Sequence, residues 1–166
     1  MGNKVSVMHK RPVIAVIGGR KEGKGLLKEA EETGRLIARG SAILVSGGLG
    51  GIMEAASRGA RSAGGLTVGI LPHDHKDAAN EFIDVAVATG LGIGRNVIIA
   101  RTADVLIAIG GAYGTLSEIA FALQLGKPVI GIKSWDIKGV MPAYNAVDAT
   151  TKAFEALKKI RQGQVS

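Results

Sequence analysis

With 166 residues, 46% of them hydrophobic and a mean hydropathy of +0.24, the chain suits one domain with a sizeable core rather than two. It has no cysteine, which excludes disulfides, thiolate nucleophiles and cysteine-ligated metals. Its net charge of +7 comes from 21 Lys and Arg against 14 Asp and Glu; they are scattered in short groups without an aromatic platform, so they read as solvated helix faces and RNA binding is the weakest alternative.

Residues 1–11 are expected to form a loose leader, and their sequence lacks the apolar core of a signal peptide. Apolar runs then predict strands near 13–17, 42–45, 67–71, 83–88, 104–109 and 128–132. Each is apolar throughout, as when helices cover both faces of a parallel sheet. Helical periodicity is expected over 25–39, 52–63, 96–102, 116–125 and 150–161, with irregular stretches at 72–82 and 134–146. No apolar run approaches the ~18–20 residues of a membrane span. The alternation predicts a single α/β domain over residues 1–166: a Rossmann-like, doubly wound, mainly parallel sheet of six to seven strands with helices on both faces. A cytoplasmic location is expected.

The 25 glycines fall in clusters just after strands: Gly18-Gly19, Gly47-Gly48 with Gly50-Gly51, Gly90/Gly92/Gly94, and Gly110-Gly111 with Gly114. In a doubly wound sheet these turns share one rim, where helix N-termini present free N–H groups to anions. SGGLGG at 46–51, beginning at Ser46, is neither GxGxxG nor a Walker A loop, which disfavours ordinary ATPase and NAD chemistry. Arg95, at the start of a short helix, is suited to bidentate phosphate recognition, with surface ion pairing as the alternative. Thr115 and Glu118 have capping-box spacing, so they either close a helix N-terminus or place a carboxylate beside an anion site. His73 and His75 lack a third partner, and no metal is expected. Trp135 and Tyr144 either stack on a base or pack at a subunit contact.

Residues 110–118, GGAYGTLSE, resemble the PGGxGTxxE signature of the superfamily once labelled lysine decarboxylase-like. That superfamily includes the LONELY GUY phosphoribohydrolases and the molybdenum cofactor carrier protein. SGGLGGIMEAASRGARSAGG and TGLGIGRN carry the likeness further, over roughly residues 12–132, toward a branch near the cofactor carrier. The resemblance implies a Rossmann-like homodimer or homotetramer and a phosphorylated small-molecule ligand, such as a nucleoside monophosphate or molybdenum cofactor. Ligand contacts are expected at Gly18, Gly19, Ser46, Gly47, Gly48, Gly50, Gly51, Arg95, Asn96, Gly110, Gly111, Tyr113, Gly114 and Thr115. In an enzyme of this kind, Arg95 would bind the ribose 5′-phosphate and Glu118 would assist N-glycosidic cleavage. The chain departs from the pattern at Gly110 for Pro, Ala112 for Gly, and Asn96 for the Lys that follows Arg95. Asn96 removes a cation, so binding without turnover is the first expectation and phosphoribohydrolase activity the alternative.

Overall fold

The computed structural model describes residues 10–163; the expected leader lies outside the described residues as far as residue 9. The elements are β1 (Val13–Gly18), α1 (Lys24–Arg39), β2 (Ile43–Ser46), α2 (Ile52–Ser62), β3 (Thr67–Leu71), β4 (Val85–Ala88), α3 (Asn96–Thr102), β5 (Val105–Ile109), α4 (Tyr113–Gln124), β6 (Val129–Ile132), β7 (Val140–Ala143) and α5 (Ala146–Arg161). Every strand pairing is parallel, in the order β4-β3-β2-β1-β5-β6-β7. This is the doubly wound α/β architecture expected from the sequence.

Period-2 alternation divides each central strand between two cores. Ile14 and Val16 join α1, α2 and α5 on one face, while Ala15 and Ile17 join α3 and α4 on the other. The continuous apolar runs therefore follow directly from burial on both faces. The edges differ from expectation: β4, paired only with β3, leaves Val85 and Val87 exposed. β7 lies within the stretch expected to be irregular, and carries Pro142, which an edge strand accommodates.

Helix ends also shift. α5 starts at Ala146 rather than 150, because the Asn145 side chain accepts the Asp148 N–H at 2.9 Å. α4 ends as expected at Gly126, whose φ of +68° allows the N–H groups of Gly126 and Lys127 to reach Leu123 and Ala122 carbonyls.

α1 and α2 cross in backbone contact. A Cβ on Gly59 would overlap the Glu31 carbonyl, and one on Gly34 would overlap that of Ala56. By contrast, a Cβ on Gly25, in the first turn of α1, would meet open space. The same substitution should therefore have opposite signs at two sites. Gly59→Ala is expected to destabilise the fold by about 2–3 kcal/mol through overpacking. Gly25→Ala should stabilise it by about 0.5–1 kcal/mol through helix propensity. Denaturant midpoints at constant m-value check both.

Candidate functional site

Because β1 pairs with both β2 and β5, the chain winds away in opposite directions from it, and a crevice opens beyond the carboxyl ends of β1 and β5. A cavity of about 340 Å³ lies there. Its walls are Gly18, Gly19 and Arg20 after β1, Met53 of α2, Pro72 after β3, and the Gly92–Asn96 turn. Ala112, Gly114, Thr115 and Glu118 complete it from the start of α4.

Arg95 ends a 3₁₀ turn and enters α3 with only 8% of its surface exposed. Its Nε and Nη1 are buried without a hydrogen-bond partner among the described residues. Gly47 makes this placement feasible: a Cβ there would run into Nη1 of Arg95 and the Met53 sulfur. Glu118 stands in the same cavity, 6% exposed. Burial pushes its carboxyl up to about 7, partly offset by the Arg95 charge. Burial likewise draws the Arg95 guanidinium below its ordinary value, with Glu118 opposing and Arg20 adding to the effect. The site thus has one enclosed guanidinium, a second at Arg20, and a carboxyl that titrates near neutrality.

The Thr115/Glu118 capping box does not form. α4 begins at Tyr113, three residues earlier than expected, and no side chain caps it. Thr115 and Glu118 instead share a buried face, since residues three apart lie on one side of a helix. The first-turn amides of α4 therefore have neither an intrahelical nor a side-chain acceptor. Asn96, where the family pattern has Lys, holds this turn in place: its Nδ2 donates to Ser117 Oγ at 2.9 Å and lies 3.4 Å from the Gly114 carbonyl.

Of the expected contacts, Gly18, Gly19, Arg95, Asn96, Gly114, Thr115 and Glu118 meet in the cavity. The others do not line it, although Gly47 lies directly behind Arg95 and Met53. Ser46 is fully buried and accepts the Gly48 N–H, which closes its own loop. Gly48 packs on Leu71 and Gly69, Gly51 approaches the Gly19 carbonyl, and Gly50 lies near Glu54. Gly110 and Gly111 are not an open phosphate cradle. Gly110 N–H donates to Ile132, and Gly111 N–H donates to Glu22 Oε1 at 2.8 Å, an anion already supplied by the chain. Tyr113 projects outward, 81% exposed.

Sequence reasoning missed Arg20, Met53, Pro72 and Ile93. Only Arg20 carried a signal, as a cation directly after the Gly18-Gly19 turn. A larger concavity of about 500 Å³ between α1 and the start of α5 contains Glu31 and Glu32, both paired with Arg35.

Residues 11–162 match the SLOG cluster4 family. The chain belongs to that family. An uncharacterized protein of Archaeoglobus fulgidus is 49% identical over 120 residues, covering 72% of this chain and 79% of that one. The Moco carrier protein of Chlamydomonas reinhardtii has the same fold with a TM-score of 0.83 at 34% identity, covering 90% of this chain and 99% of its own. A cytokinin riboside 5′-monophosphate phosphoribohydrolase of Mycobacterium tuberculosis is 32% identical, over 66% of this chain and 64% of that protein. The superfamily resemblance carried by residues 110–118 is therefore the right one.

Two outcomes follow from the buried pair. Glu118 ionises near 7 when folded and near ~4.3 when unfolded, so the unfolded state loses its proton first as pH rises. The contribution of Glu118 to stability is full below about pH 4.3, falls by an order of 3 kcal/mol up to about pH 7, and is flat above that. In Glu118→Gln this fall should vanish, which denaturation at pH 5 and pH 8 would reveal. Gly47→Ala should expel the Arg95 guanidinium from its seat while the fold persists, since the far end of a side chain moves more readily than backbone. A crystal structure of the variant checks it.

Proposed function

We propose that the protein binds a phosphorylated nucleotide- or pterin-type ligand, with its phosphate in the cavity between Arg95 and the start of α4. One observation carries the reading: the two enclosed Arg95 donors have no acceptor among the described residues. Buried polar groups are as a rule satisfied, and a guanidinium is matched best by a bidentate oxyanion. The uncapped first turn of α4 adds backbone N–H groups and the positive end of a helix dipole. Arg20 supplies a further positive charge from the facing loop. The donor set needs no metal-ligating side chain, so it suits a cofactor held by its phosphate as well as a nucleotide. The cofactor carrier among the similar structures and the phosphoribohydrolase among the relatives both support a ligand of this chemistry.

Holding is favoured over turnover because Asn96 is committed to α4, and the cation that the pattern places there is absent. The second reading is hydrolysis of a nucleoside 5′-monophosphate to free base and ribose 5-phosphate. Glu118 supports it, since a carboxyl poised near 7 beside a phosphate site can shuttle a proton.

Calorimetry with AMP, ribose 5-phosphate and a pterin monophosphate tests the site. Binding should weaken on the order of 100-fold in Arg95→Met, the loss expected when a buried charge partner is removed. Affinity should also fall as pH rises through about 7, because an ionised Glu118 repels the phosphate; Glu118→Gln should remove that fall. Unchanged affinity in Arg95→Met would sink the reading. Chromatography of AMP and a cytokinin riboside monophosphate incubated with the protein should show intact nucleotide. Release of base that disappears in Glu118→Gln would establish the hydrolase instead.

A further inference from the structure

A separate concavity, of about 420 Å³, lies beside Gly110 and Gly111. Trp135 lines it, together with Glu22, Ser134 and Asp136. The indole is fixed, since its Nε1 donates to the Ala112 carbonyl at 3.2 Å. Ser134 Oγ donates to the Gly110 carbonyl at 2.7 Å and pins the same two loops together. Tyr113 stands next to this indole, with ring centroids 6.1 Å apart and planes 30° from parallel. Its ring is 81% exposed at the first residue of α4. Ala112 therefore joins two features: it lines the Arg95 cavity and receives the indole N–H.

The geometry points to Tyr113 and Trp135 as a stacking ledge for the flat, amino-bearing heterocycle of the bound ligand, a purine or a pterin. An exposed ring such as Tyr113, beside the partly buried Trp135, can stack on planar rings without needing a particular sequence of donors. Glu22 has one oxygen committed to Gly111 N–H, and it lines the concavity together with Asp136 and Lys133. Acceptors there match ring amino groups, which are donors only. The proposal rests on the phosphate reading above, because it is the phosphate that brings the heterocycle to Ala112. It extends that reading by assigning the other end of the ligand to residues outside the cavity.

Trp135 is the chain's single tryptophan, so its emission reports on the ledge alone. The full chain would be titrated with AMP, neopterin monophosphate, adenosine and ribose 5-phosphate, following tryptophan emission and heat in parallel. Saturable quenching is expected with AMP or the pterin, and ribose 5-phosphate should bind without quenching. Tyr113→Leu should weaken the heterocyclic phosphates about tenfold and leave ribose 5-phosphate unaltered; its exposure makes a folding defect no concern. The ledge is overturned if AMP and the pterin bind no tighter than ribose 5-phosphate, or if none of the probes quenches. It is overturned too if Tyr113→Leu changes only sedimentation, in which case Tyr113 belongs to a contact between copies. Those results leave Arg95 untouched. Quenching by adenosine with the affinity of AMP would instead sustain the ledge and remove the phosphate reading.

Discussion

A guanidinium enclosed with two unmatched donors is expensive to keep in a fold, because the desolvation it suffers is not repaid by hydrogen bonds from those donors to the described residues. Much of the rim makes sense as the means of keeping Arg95 there. Gly47 leaves out the Cβ that would displace it. The 3₁₀ turn ahead of α3 brings its backbone to the crevice, and Asn96, the next residue, ties that junction to α4. Glu118 is the facing carboxyl, yet its own burial leaves it half-protonated near neutrality and so an incomplete counterion. A full ion pair would have quenched the site. The arrangement retains net positive potential where an anion fits.

The same logic separates the glycine clusters by what they do. All were expected on one rim, and Gly18, Gly19 and Gly114 do line the cavity. Gly47, Gly48 and Gly51 serve by having no side chain, each admitting a neighbour where a Cβ would collide. Gly110 and Gly111 have positive φ, as a loop that turns sharply after β5 requires, but their amides are used internally by Ile132 and Glu22. Glu22 thereby closes one anion-binding concavity and leaves the first turn of α4 as the one facing Arg95.

The central sheet was legible in the sequence because strands buried on both faces have no alternating pattern to misread. β7 was not, since four residues that include Pro142 give too short a run to register, and at the sheet edge two of the four, Met141 and Pro142, are exposed. The start of α5 carried a readable Asn145-x-x-Asp148 cap that the surrounding irregular stretch concealed. At α4 the ambiguity is physical: spacing of three places Thr115 and Glu118 together either across a helix cap or along one helix face, and sequence alone does not distinguish them. Arg95 and Glu118 were found by motif. Their burial, which gives them chemistry, arises from tertiary packing that no local pattern encodes. Met53, Pro72 and Ile93 reach the cavity from three separate segments, for the same reason.

Asn96 shows how a departure from a family pattern redistributes roles without emptying the position. A lysine there would have added a cation beside Arg95. The amide instead donates to Ser117 and lies within reach of the Gly114 carbonyl, fixing the turn whose amides face the cavity. The lost charge is partly replaced from another element, since Arg20 on the β1–α1 loop lines the same cavity and adds, after burial, to the lowering of the Arg95 guanidinium. The two arrangements differ in rigidity. A cation on α3 would be held next to Arg95 by the helix, whereas Arg20 sits exposed on a loop. A site with one helix-borne and one loop-borne cation suits an anion, but it positions a developing charge less sharply than two helix-borne ones. On physical grounds, that shift favours retention of a ligand over its cleavage.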